Sequence, residues 1–137
     1  MTESVYIASG ARTPMGGLQG CFADMTAVDL GSVAIAEAVA RANLSVNDIE
    51  EIIMGCVLPS GLRQGPARQA AMDAGIPVQS GATTINKLCG SGMKAAMLAH
   101  DLIKAGTNEI MVAGGMESMT NAPYILPKAR GGMRMGH

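Results

Sequence analysis

Apolar and polar positions along this chain fall into short blocks whose period switches in a regular order. Ser4-Val5-Tyr6-Ile7-Ala8 reads as a short strand. From Gly10 to Gly20 the pattern lapses, and Arg12-Thr13-Pro14 with Gly16-Gly17 supplies loop residues. Thr26-Ala27-Val28-Asp29 has capping-box spacing, after which Leu30, Val33, Ala34, Ala38 and Val39 recur as one helix face as far as about Asn43. Ser45 to Asp48 repeats that cap spacing in miniature. Glu51 to Val57 predicts a second strand, Pro59 to Pro66 a loop, and Ala67 to Ala74 a short helix closed by Gly75 and Pro77. A third strand is expected over Ala82 to Asn86, a helix from just after Cys89 to about Gly106, and a fourth strand over Glu109 to Ala113.

The resulting order, β-α-β-α-β-α-β, implies an α/β fold with a mainly parallel sheet covered by helices. The helix after Cys89 carries Met93, Ala95, Ala96, Met97, Leu98, Ala99, Leu102, Ile103 and Ala105, interrupted only by Lys94, His100, Asp101 and Lys104. A helix that is apolar nearly all round is expected to be buried on most sides, so a further layer should cover it. Residues 121–137 show no periodicity and read as the start of a truncated loop region, with 1–120 as an incomplete α/β half.

Composition narrows the function classes. A net charge of −1 gives no electrostatic case for nucleic acid or an anionic membrane. The first eleven residues lack the basic and apolar regions of a signal peptide, and no apolar run approaches the ~20 residues of a membrane helix. Cys21, Cys56 and Cys89 are odd in number, widely spaced and without a CxxC pair, which argues against disulfides and zinc and for a reducing, cytoplasmic setting. With no Trp, one Phe, 12 Met and 18 Gly, core volume must come from aliphatic residues and Met, with backbones packed closely at glycines.

The candidate chemistry lies in Thr83-Thr84-Ile85-Asn86-Lys87-Leu88-Cys89-Gly90-Ser91-Gly92-Met93-Lys94. A β-branched run ends, a cysteine follows, and a helix begins. This places a thiol where a helix N-terminus offers amide N–H groups and a positive partial charge, a setting that stabilises a thiolate. Gly90 and Gly92 are expected to make the sharp turn and to admit a substrate carbonyl. Most free cysteines are inert apolar residues, but this strand-Cys-Gly-x-Gly-helix order reads as a nucleophile elbow with cysteine in place of serine. Gly90 to Ala95 also matches the dinucleotide fingerprint G-x-G-x-x-G/A, with Glu109 as the acid expected about 20 residues on. Glu109 precedes an apolar run instead of closing one, which disfavours an oxidoreductase.

Together with Arg12-Thr13-Pro14-Met15-Gly16, Gly55-Cys56-Val57-Leu58, Gln64-Gly65-Pro66-Ala67-Arg68-Gln69-Ala70 and Ala113-Gly114-Gly115-Met116-Glu117-Ser118-Met119, then Ala122-Pro123-Tyr124, the Cys89 segment makes the chain resemble the N-terminal third of the thiolases, in the acetyl-CoA acetyltransferase branch. The resemblance covers the whole length. It implies a five-layer α-β-α-β-α sandwich of two similar halves, the cysteine helix in the middle layer. It also implies acetyl-CoA C-acetyltransferase chemistry: Cys89 takes an acetyl group as a thioester, its backbone N–H serves as oxyanion donor, and a second acetyl-CoA condenses to acetoacetyl-CoA, thiolysis being the reverse. Coenzyme A thioesters are then substrates, with no cofactor and no metal, and the parent is a homodimer or homotetramer that uses the strand at Ala82–Asn86 as an edge.

The family's base histidine, in a GHP-type motif, and its second cysteine, in a C-x-GGG-type motif, have no counterpart here. The resemblance therefore implies an incomplete fragment without useful turnover alone. His100 lies 11 residues along from Cys89, ~16 Å at 1.5 Å per residue, and does not substitute for the base. His137 has no assignable role. Lys128, Arg130 and Arg134 read as solvated loop or oligomer contacts before CoA phosphate contacts. A catalytically silent binding or assembly module with the same fold is the alternative to the enzyme.

Overall fold

The computed structural model describes residues 4–132. Its regular elements are α1 (Ala27–Arg41), β1 (Glu51–Gly55), α2 (Pro66–Asp73), β2 (Gly81–Ile85), α3 (Ser91–Lys104) and β3 (Met111–Gly115), with short 3₁₀ turns at Val46–Asp48, Met119–Asn121 and Ala129–Gly131. No helix among the described residues is long and apolar enough to cross a membrane.

Both predicted caps form. The Thr26 hydroxyl accepts the Asp29 N–H at 3.1 Å, while the Asp29 carboxylate accepts the Thr26 N–H at 2.7 Å. The Thr26 hydroxyl also donates to that carboxylate (2.7 Å), and this bond, then the one from the Thr26 N–H, holds the Asp29 carboxyl below its ordinary value of 3.8. A depressed carboxyl contributes stability above its unfolded value and loses it as the pH falls through the folded one, so this cap weakens in acid. The Ser45 N–H to Asp48 carboxylate bond, 2.8 Å, closes the second box. Along α1 the buried positions are Ala27, Val28, Gly31, Ile35 and Val39. The stripe is thus rotated from the expected face: Val33 is 54% exposed.

The sheet has three strands, all parallel, in the order β2-β1-β3. The expected strand at Ser4–Ala8 does not join it. Its neighbourhood is tied instead to α1, where the Ser9 hydroxyl donates to the Ala38 carbonyl (2.5 Å) and Arg41 donates to the Gly10 carbonyl (3.2 Å). Tyr6 and Ile7 are left largely exposed. Strand propensity reflects fit to a half-buried pleated surface, and without an edge partner it makes no strand. β3 also begins two residues later than expected. Before it, the Glu109 N–H donates to the Glu50 carboxylate (2.7 Å), and the Ile110 carbonyl accepts the Glu50 N–H (3.1 Å).

The connections β1-α2-β2 and β2-α3-β3 run in opposite directions across the sheet. Right-handed crossovers therefore place α2 and α3 on opposite faces. Ile52, Met54 and Cys56 point to the α1–α2 side and join its core with Ala27, Val28, Ile35, Val39, Ala67, Ala70, Ala71 and Met116. Ile53 and Gly55, on the alternate face, turn to α3. The described residues thus form three layers, α-β-α.

Only one stripe of α3 is buried: Ser91, Ala95 and Ala99, at a spacing of four. Met93 is 69% and Met97 52% exposed, so the all-round burial expected for this helix is not present among the described residues. No other element described here reaches that outer side to cover it. Residues 121–132 are exposed throughout.

Candidate active site

Parallel register brings the chemistry together. Gly55 pairs with Ile85 on one side and Gly115 on the other, so all three strands end level. The loops that follow emerge at the carboxyl edge of the sheet, where α/β folds gather their ligands. They enclose an open, mostly apolar cleft of about 490 Å³ lined by Val57 and Leu58 after β1, Leu88 and Cys89 after β2, and Met116, Glu117 and Met119 after β3. A smaller cleft of about 140 Å³ adjoins it, between Arg12 and Thr13 of the N-terminal loop, α1 and Glu117.

Cys89 is exposed in the main cleft, one residue before the Gly90 cap of α3. The turn that presents it is not made at Gly90, whose φ is −90°, but at Leu88, a non-glycine residue with φ 50°. Local hydrogen bonds hold Leu88 in this left-handed conformation. Its N–H donates to the Asn86 side-chain oxygen (2.9 Å), and its carbonyl accepts both the Ser91 hydroxyl (2.6 Å) and the Ser91 N–H (3.0 Å). The same hydroxyl accepts the Lys87 N–H at 2.8 Å, so the nearly buried Ser91 braces the loop from inside. Among the described residues the Cys89 N–H has no hydrogen-bond acceptor. Gly92 lines the same cleft, and a Cβ there would meet the Gly115 nitrogen at 3.6 Å, an ordinary contact distance, where α3 rests on the end of β3.

The signature segments around α2 are structural. Gly65 (φ 56°) caps the helix and Pro66 opens it. Arg68 donates to the carbonyls of Val78 and Ser80, Gln69 ties down the preceding loop through the Leu62 and Gln64 carbonyls, and the Ala67 N–H donates to the Thr84 hydroxyl (2.9 Å).

Two residues went unsingled in the sequence: Glu117 and, for its side chain, Asn86. The Glu117 carboxylate leaves the loop after β3 and accepts the Val57 N–H (2.8 Å) and the Leu58 N–H (3.2 Å) of the loop after β1. Its other neighbour is the buried Cys56 thiol, whose Sγ lies 3.7 Å away. Burial, and then the Glu117 charge, push this thiol up from 9.0 to about 11. A raised thiol contributes its stability fully below 9.0 and loses it as the pH climbs through about 11. With Cys21 and Cys89 replaced by serine, thiolate absorbance should titrate near that raised value. Glu117→Gln should move the midpoint down towards 9.0 without reaching it, because burial is the larger cause. A midpoint that does not move would leave burial as the whole explanation.

Other candidates lie apart. Glu109 sits at the amino end, just before β3, whereas Gly90 to Gly92 sit at the carboxyl edge of the sheet. A dinucleotide site needs both at one edge. His100 is exposed on α3 with its ring 3.1 Å from the Asp101 carboxylate. Lys128 and Arg130 are exposed in the terminal loop, and Arg134 and His137 lie outside the described residues.

A parallel α/β unit that presents an exposed cysteine at a helix mouth, with glycines packing that helix onto the strand ends, belongs to the thiolase family: the description "Thiolase, N-terminal domain" matches residues 5–137. Among its relatives, an acetyl-CoA acetyltransferase of Schizosaccharomyces pombe is 50% identical over 137 residues, all of this chain and 35% of that protein. One from Gibberella zeae, described as cytosolic, is 51% identical over 132 residues, 96% of this chain and 33% of that protein. A solved structure, the Acat5 thiolase from Ascaris suum in complex with coenzyme A, matches with a TM-score of 0.88 and 44% identity, covering 90% of this chain and 32% of that one. The chain therefore spans about a third of the length of the relatives it matches.

Proposed function

We infer that the protein carrying this chain is an acetyl-CoA C-acetyltransferase, with Cys89 as the residue that takes up the acetyl group. The observation that carries the reading is the exposed thiol in the cleft, one residue before the cap of α3, with its own N–H free of any acceptor among the described residues. In the first half-reaction the Cys89 thiolate attacks the thioester carbonyl of acetyl-CoA. Negative charge develops on the carbonyl oxygen, where the Cys89 N–H and the start of α3 stabilise it. The C–S bond to coenzyme A then breaks, CoA leaves as a thiol after taking a proton, and the acetyl group remains as a thioester on Cys89. Exchange of one thioester for another is nearly balanced in energy, so the acyl-enzyme forms readily and still reacts onward.

In the second half-reaction another acetyl-CoA loses a proton at carbon, attacks the acyl-enzyme and releases acetoacetyl-CoA with the cysteine restored. That proton transfer needs a base. The GHP-type histidine motif that serves the family is not in these 137 residues, so the isolated chain is expected to stop at the acyl-enzyme. Coenzyme A thioesters are substrates in this scheme, and no cofactor enters it. A cytoplasmic homodimer or homotetramer belongs to the same reading. It is supported by the cytosolic description of the Gibberella zeae relative, by the free edge of β2 and by the uncovered Met93–Met97 face.

The test is direct. Incubated with labelled acetyl-CoA, quenched in acid and digested, the natural full-length protein should carry acetyl on the peptide containing Cys89. Label on no cysteine would favour the silent module instead, and label on Cys21 or Cys56 would take the acetyl-accepting role from Cys89.

A further inference from the structure

The geometry points to Asn86 and Glu117 as positioning residues for the Cys89 thiol, an inference that rests on the acyl-transfer reading above. The three loops at the carboxyl edge leave three different strands, and the sheet's own ladder reaches only their first residues, through the Cys56 N–H to the Ile85 carbonyl and the Met116 N–H to the Gly55 carbonyl. Glu117 crosses from the third loop to the first and takes the N–H groups of both Val57 and Leu58. Holding those amides orients the Val57 peptide, whose carbonyl accepts the Asn86 side-chain N–H at 3.1 Å. The oxygen of the same Asn86 amide accepts the Leu88 N–H at 2.9 Å. One continuous set of bonds thus runs from the loop after β3, through the loop after β1, to the residue before the nucleophile.

Leu88 is where this set acts. Its φ of 50° is a conformation that a γ-branched residue adopts only when its surroundings impose it. Without the Asn86 oxygen, the Leu88 N–H loses its acceptor and the residue is free to relax towards extended backbone. The peptide that follows then rotates, carrying both the Cys89 thiol and the Cys89 N–H out of register with a carbonyl held in the cleft. In this scheme Asn86 and Glu117 act through the backbone rather than on substrate, which is why they are positioning residues and not catalytic ones. A displacement on the order of 1 Å at a reacting atom costs about 100-fold in rate.

The experiment uses the natural full-length protein and measures the rate at which labelled acetyl-CoA acetylates Cys89, as a function of acetyl-CoA concentration. Asn86→Ala should lower the limiting rate by ~10- to 100-fold, with the half-saturating concentration within about twofold of wild type. Asn86→Asp keeps an acceptor for the Leu88 N–H and should recover part of the loss. A merely structural role would lower thermal stability in both variants alike while folded protein still acetylated at the wild-type rate. That result overturns the proposal, as does an Asp variant no faster than Ala, or a loss confined to the half-saturating concentration. Should Asn86→Ala fail to fold, Glu117→Gln carries the test: a slower limiting rate supports the proposal and an unchanged one overturns it. Cys89→Ser runs alongside. Label on that variant at the wild-type rate would bring down the acyl-transfer reading itself, a different outcome from an active Cys89 indifferent to Asn86.

Discussion

Cys89→Ser should abolish acyl-enzyme formation, lowering the acetylation rate by at least about 10³-fold, and leave the fold as it is. The hydroxyl of serine ionises far less readily than a thiol, and the carboxylate at this edge of the sheet, Glu117, is engaged by the amides of Val57 and Leu58. His100 is the only histidine among the described residues, and it lies out along α3 beside Asp101. Any ester that did form would also be a poorer acyl donor than a thioester. Because Cys89 is exposed and contributes nothing to the core, the substitution should change stability by no more than about 0.5 kcal/mol. Quenched-flow acetylation with labelled acetyl-CoA, paired with urea denaturation, reads both halves. Wild-type uptake by the serine variant would remove Cys89 from the chemistry.

Gly55→Ala should act in the opposite way, through the fold first and the site second. A Cβ at this position would sit 2.5 Å from the Ser91 Cβ, 2.7 Å from the Ser91 carbonyl carbon and 2.9 Å from the Gly92 nitrogen. Two of these three neighbours are backbone, so no rotamer change relieves the contact and the start of α3 must move away from β1. Overpacking of this kind destabilises by about 1–3 kcal/mol. The shift also lifts Ser91 from the positions at which its hydroxyl bonds the Lys87 N–H and Leu88 carbonyl, so acetylation of Cys89 should slow in the protein that remains folded. Gly17→Ala is the control: a Cβ there meets nothing within 4 Å, and stability should stay within about 0.5 kcal/mol of wild type. If Gly55→Ala proved as stable as Gly17→Ala, the close approach of α3 to β1 would not be a constraint on the fold.

Much of this was legible from residue order because the signals concerned are local. Thr26 and Asp29 lie three apart and form their cap without help from the rest of the chain. The same holds for Ser45 and Asp48, and for Gly65 and Pro66 at the start of α2. The strand, cysteine and helix around Cys89 are contiguous, so the place of the thiol at the mouth of α3 could be read directly, as could the parallel α/β class from alternating periods. The motifs that carry the family resemblance are likewise contiguous runs.

What depended on distance in sequence could not be read in this way. Ser4–Ala8 has strand composition, but whether it pairs depends on an edge elsewhere, and its anchors lie on α1. Apolar residues surround α3, yet only the Ser91, Ala95 and Ala99 stripe finds the sheet, because one layer can cover only one side of a helix. The sharp turn at Cys89 was expected at Gly90 and Gly92; the left-handed residue is Leu88, where side chains of Asn86 and Ser91 supply the hydrogen bonds that offset the strain.

Glu117 shows the limit most plainly. In the sequence it is one acidic residue 28 positions after Cys89 and 61 after Cys56, with no periodicity or spacing to mark it. Only the flush ending of β1, β2 and β3 places its carboxylate on the amides of Val57 and Leu58, beside the same cleft. The sequence by itself determined the place of the Cys89 thiol, the helix behind it and the class of fold, since each rests on neighbours in the chain. The tertiary structure alone decided which polar groups gather near that thiol, because strand register, which no local pattern encodes, brings three separate loops to one edge.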